Sequence, residues 1–218
     1  VPGTREAADR AGRFGVSEEP MRQWSLAATA HYEGDFASAR DQLDTLRAAE
    51  PDFAEAWYLM AQVAEMQGDE VKARRGYARA QDLDPERFSM PRRVDEDVVH
   101  DAVDQASDKL PDQFRELLDE LAVTVRPTPD LELARAETAD GTPIPPDVLG
   151  LFVGRSQLEK SVFDVGSQPG LVFLFQKNLE RVCPDEETLV EEIHITLWHE
   201  LAHYLGFEEE DMPGLGLD

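Results

Sequence analysis

Near its end the sequence reads His199-Glu200-Leu201-Ala202-His203. On a helix, residues i and i+4 share a face, with Cβ atoms about 6 Å apart. Two imidazoles so placed can both reach one zinc ion, at Zn–N distances of about 2.0–2.1 Å. Glu200 lies about 100° further round the helix. It does not ligate; it can reach a water on the metal and take its proton. Catalytic zinc usually has three protein ligands and one open position, so a third ligand is needed. After Gly206 the chain reads Phe207-Glu208-Glu209-Glu210-Asp211-Met212. Within this acidic run the first candidate is Glu209. Glu210 and Asp211 are the reserves.

These residues need a long helix to carry them. Asp185 is the expected N-cap, with Glu186 and Glu187 in the first turn, where the helix dipole favours negative charge. The helix is expected to run to Leu205, and Gly206 to end it in a left-handed conformation. Thr196 and Glu192 lie one and two turns back on the ligand face and are candidates to support the site, or plain helix-surface residues. His194 falls off the ligand face, and Tyr204 is expected to point away from the metal. Cys183 precedes the N-cap and reads as a buried small residue. Ahead of the helix, Ala122–Val125, Val148–Val153 and Leu171–Phe175 read as strands. The last is either a central buried strand or an edge able to pair with a substrate. Residues 112–121 read as a helix striped by Phe114, Leu117, Leu118 and Leu121. A preceding helix should carry Val94, Val98, Ala102, Val103 and Ala106 on one face. Residues 136–147, and a segment containing Gly166, Gln168 and Gly170, read as polar loops.

Residues from about 94 to 218 resemble the minimal metalloprotease-like, zincin-like family of small bacterial proteins. The resemblance is carried by LPDQFRELLDELAVTV, VLGLFVG, LVFLFQKNLERVCPDEETLVEEI and TLWHELAHYLG, in the family's order. It implies a small α/β domain with a short mixed sheet and the motif on a long helix. It also implies His199 and His203 as metal ligands and Glu200 as general base. The family carries an aspartate, sometimes a serine, at the position of Glu209.

The front of the chain repeats itself. Gly34 and Gly68, Ala39 and Ala73, and Pro51 and Pro85 are each 34 residues apart. The same offset pairs Leu26 with Met60, Ala27 with Ala61, Ala30 with Ala64, and Leu43 with Tyr77. Small residues suit close helix approach, glycine suits the turn, and proline follows the second helix. The pattern looks like two tetratricopeptide repeats, at roughly 20–53 and 54–87, with helices near 18–33, 37–49, 54–67 and 71–83. Such repeats present a groove to a partner peptide, or else the pair simply props up the rest of the chain. Trp24, Trp57 and Tyr58 read as packing residues, and residues 86–93 as a linker.

Composition sets the outer limits. The chain has 218 residues, 21 Lys+Arg and 46 Asp+Glu, for a formal net charge of −25. Such a surface repels phosphate backbones, so no nucleic-acid partner is expected. One cysteine excludes an intramolecular disulfide. The apolar runs are too short to span a bilayer, so no membrane association is expected. Residues 1–19 read as a polar tail without an apolar signal core, which suits a cytoplasmic location but leaves a trimmed signal open. The fold class expected is α+β. An all-α tetratricopeptide segment at 20–90 precedes a zincin-like domain at 91–218. The function expected is zinc-dependent peptide hydrolysis, with the repeats recruiting a protein partner or substrate. The alternative is a non-catalytic or weakly active metal-binding scaffold.

Overall fold

The structure, a computed structural model, describes residues 18–118, 120–130, 132–133, 144–154, 170–207 and 209–215. The expected tail before residue 18, and most of the two expected polar loops, lie outside the described residues. The chain divides into two compact units. One comprises Val1–Met90 with Pro129–Pro146, the other Pro91–Thr128 with Asp147–Asp218.

Among the described residues, the first unit contains four helices: α1 (Glu18–Tyr32), α2 (Phe36–Ala49), α3 (Ala54–Met66) and α4 (Glu70–Leu83). They form two hairpins whose turns are built alike. Gly34 and Gly68 have φ of 71° and 73°. Each N–H reaches back three residues, to the carbonyls of His31 and Glu65, and the next N–H reaches back five. This is the Schellman turn, which a left-handed glycine makes at low cost. The following residue, Asp35 or Asp69, then caps the next helix by accepting from Ser38 N–H or Lys72 N–H.

Alanines at the paired positions let the helices close up: Ala27, Ala39, Ala61 and Ala73 are fully buried. Gly76 completes the α3–α4 approach. A Cβ there would meet the Ala61 Cβ and the Trp57 carbonyl, both at 2.9 Å. One pairing breaks. Met60 is buried against residues of the first hairpin, whereas Leu26 is 48% exposed. Leu26 has no earlier hairpin to pack on among the described residues. Trp57 packs as expected: Arg47 lies over its ring and its indole N–H donates to the Pro51 carbonyl.

The second unit contains α5 (Glu96–Asp108), α6 (Asp112–Leu118), β1 (Ala122–Arg126), β2 (Gly150–Val153), β3 (Leu171–Phe175), α7 (Gln176–Val182), α8 (Glu186–Leu205) and a 3-10 helix (Glu209–Leu215). The sheet order is β1-β3-β2, with β3 parallel to β1 and antiparallel to β2. β3 is therefore the central strand, which removes the alternative of substrate pairing along its edge. Its run Val172–Phe175 is buried, and β3 and α8 share one core with α5. On α5 Ala102 and Ala106 are buried in this core and Val103 packs against it, as expected, but it is Val99 rather than Val98 that is buried with them. Val94 lies before the helix. β2 begins later than expected because the Val148 carbonyl is taken by the Asn178 side-chain amide rather than by a strand. The short helix α7 was not foreseen from the sequence.

Gly76→Ala should destabilise the protein by ~1–3 kcal/mol despite alanine's better helix propensity, because the new methyl collides with α3. Gly68→Ala should cost ~1–2 kcal/mol from its left-handed backbone alone, since nothing lies within 4 Å of a Cβ there. Urea titrations of both variants measure this. Unchanged stability for Gly76→Ala would show that α3 and α4 give way freely.

Candidate metal centre

Helix α8 starts where Asp185 accepts from the Thr188 main-chain N–H and hydroxyl, both at 2.8 Å. Those bonds hold the Asp185 carboxyl below its ordinary value. The core stripe of α8 is Leu189, Ile193, Leu197 and Leu201, all buried. His199 and His203 follow Leu197 and Leu201 by two residues, so they stand roughly 200° from that stripe. Both are half-buried. Glu200 and Thr196 fall between the two faces, on the side that meets β2.

Contact with β2 is unusually close. A Cβ on Gly150 would lie 2.4 Å from the Thr196 Cγ2 methyl. Thr196 is thus a packing residue against the strand. Glu200, only 6% exposed, is aimed at the same strand, and its Oε2 accepts from the Phe152 main-chain N–H at 2.6 Å. A buried carboxylate needs such a donor. Phe152 in turn rests its ring on Tyr204, which is fully buried and donates its hydroxyl to Glu120. Tyr204 therefore points away from the two histidines, as expected.

The Nε2 atoms of His199 and His203 face each other at 3.1 Å. Two ligands on one tetrahedral zinc, each about 2.0–2.1 Å away, stand about 3.3 Å apart. The imidazole pair therefore fits two corners of a zinc site. At the end of α8, Gly206 has φ 95°, its N–H reaches the His203 carbonyl, and the Phe207 N–H reaches the Ala202 carbonyl. This third Schellman turn brings the Phe207 carbonyl within 3.0 Å of His203 Nδ1. A carbonyl can only accept, so Nδ1 carries the proton and Nε2 presents its lone pair, the tautomer a metal needs.

The expected third ligand, Glu209, opens the 3-10 helix with its backbone; its side chain lies outside the described residues. Glu210 and Asp211 are exposed. Among the described residues, no group of three His, Cys, Asp or Glu side chains is arranged to hold a metal. Met212 fastens the 3-10 helix to α8: it is 2% exposed and packs with Ala202 and Trp198.

Residues 118–217 match the family model of zincin-like metallopeptidases. No curated protein matches the chain. The zincin-like stretch runs from the end of α6 through the sheet and α8 to the 3-10 helix. Among the described residues, no helix is long and apolar enough to cross a membrane.

The remaining sequence candidates lie outside this cluster. His194 Nδ1 contacts the Ala106 carbonyl at 3.1 Å, tying α8 to α5. Cys183 is buried and its thiol is pushed up to about 12, first by burial and then by Glu192 and Asp185. Phe152, Gly150, Phe207 and Met212 were not foreseen as parts of the site. Gly150 alone carried a signal, since a glycine inside an apolar strand marks a close approach.

Two outcomes are expected. Gly150→Ala should cost ~1–3 kcal/mol by urea denaturation, and Thr196→Ser in the same chain should restore part of it by removing the clashing methyl. No restoration would place the strain elsewhere. Native Cys183 should resist iodoacetamide at pH 8–9 and react only after unfolding, because the thiolate is scarce in the fold. Rapid native labelling would contradict its burial.

Proposed function

We propose that the zincin-like unit is a zinc-dependent peptidase. The observation that carries this is the paired Nε2 atoms of His199 and His203, 3.1 Å apart, with the buried Glu200 carboxylate beside them. The family match over 118–217 supports the reaction class. His199, His203 and Glu209 would hold the metal. A zinc ion supplies positive charge that polarises a carbonyl and acidifies water. The chain's own residues do the rest. Glu200 takes a proton from the water that attacks the peptide carbonyl. It then delivers that proton to the leaving amine as the C–N bond breaks. The Phe207 carbonyl keeps His203 in its ligating tautomer. The packing of α8 on β2 keeps the base out of bulk water, and electrostatic effects are stronger in that drier setting. The two helical hairpins at the front, read as tetratricopeptide repeats, would recruit a protein partner or substrate.

The test begins with metal content by elemental mass spectrometry on untagged protein. About one zinc per chain is expected, lost in His199→Ala and Glu209→Ala and kept in Asp211→Ala. Glu200→Gln should keep the zinc and lower peptide cleavage by about a hundredfold or more. Wild-type cleavage by Glu200→Gln would remove the base mechanism. Protein that takes up no zinc, even when it is supplied, would remove the metal site.

A further inference from the structure

β2 is an edge strand among the described residues, and the parity of its ladder decides which main-chain groups face outward. The Phe175 N–H donates to the Leu149 carbonyl at 2.8 Å. Bonded and non-bonded positions alternate along an antiparallel pair. With Gly150 opposite Leu174 and Phe152 opposite Val172, positions 149, 151 and 153 are the bonded ones. Gly150 and Phe152 are the non-bonded ones. The Phe152 N–H and carbonyl therefore point away from β3, toward the outer edge. That donor is occupied: it is the one that Glu200 Oε2 accepts at 2.6 Å. It is also the donor that an extended peptide must use to pair with β2 at this point. Glu200 and an incoming strand compete for one hydrogen.

We propose that the Phe152 N–H is shared between two acceptors. At rest it holds the Glu200 carboxylate; when an extended peptide pairs with β2, a peptide carbonyl takes it over and the carboxylate turns to the attacking water. The proposal rests on Glu200 being the general base. A bond from N–H to carboxylate is charge-assisted and among the stronger ones, so it restrains the base until something of equal geometry replaces it. Its donor belongs to the backbone of a strand pinned by the Gly150–Thr196 contact, so it cannot drift with the carboxylate. The substrate class follows. Only extended chain offers a main-chain carbonyl to β2, because helical carbonyls are already bonded internally. Unfolded or locally opened protein segments are the substrates, and compact helical surfaces are not.

The test removes this one hydrogen. Replacing Phe152 with L-phenyllactic acid turns the N–H into an ester oxygen and keeps the ring on Tyr204. The β2–β3 ladder does not use this N–H; the Leu151 carbonyl, a bonded position of that ladder, becomes an ester carbonyl and accepts more weakly, which Phe152→Pro avoids. Phe152→Pro removes the same donor at an edge position where proline is tolerated, with Phe152→Leu as the control for the lost ring. The probe is p-nitrophenyl acetate, which has no main chain to pair. Its hydrolysis is measured per bound zinc on the full chain. The two variants lacking the N–H should exceed wild type and Phe152→Leu by about tenfold. Adding Glu200→Gln should cancel that gain. Equal or lower rates in both N–H-deleted variants overturn the proposal, as does a gain that survives Glu200→Gln. Absence of bound zinc throughout would instead overturn the metal reading, and this proposal with it.

Discussion

Helix α8 has to satisfy two neighbours at once, and the rest of the second unit follows from that constraint. One stripe must enter the core beside β3 and α5. The flank next to it must press on β2 closely enough that position 150 has no room for a side chain. A helix with 100° per residue then has no freedom left. Its third sector, with His199 and His203, is forced to the far side of Glu200. The packing of apolar residues thus determines where three polar ones stand. Burial of a single Leu or Ile side chain contributes ~1.5–3 kcal/mol, far more than an exposed ion pair, so the core sets the angle.

Polar groups then refine what packing has placed. Glu200 is buried, and its cost is offset by a main-chain donor. Glu180, also buried, is treated in the same way: it accepts from Val94 N–H and from Gln176, and pairs with Arg93. In this way α7, which follows β3 directly, pins the start of the unit next to α5. Both carboxylates sit where the backbone turns a donor toward them.

Much of this was legible in the sequence. The boundaries of α8, its Asp185 cap and its Gly206 stop could be read because each is local chemistry within a few residues. The hairpin turns at Gly34 and Gly68 were legible for the same reason, and the 34-residue offset exposed the buried alanines. The position of β3 in the sheet was not legible, because an apolar strand of five residues reads alike at the centre or the edge. Helix α7 was hidden by its length, two turns with one buried leucine at Leu179. The Phe152–Glu200 bond was hidden because it joins residues 48 apart through a main-chain atom, which leaves no side-chain signature. Leu26 departs from its partner Met60 because, among the described residues, no earlier hairpin lies against it.

The turn after α8 has a consequence for the proposed metal site. The Phe207 carbonyl that orients His203 is held by the same two backbone bonds that terminate the helix. The imidazole's orientation is therefore settled when the helix ends, before any ion arrives. Little side-chain entropy remains to be lost at that position on loading, where ordering a mobile side chain costs about 0.5–1.5 kcal/mol. Folding of the helix terminus is the event that sets this imidazole for the metal proposed to bind it.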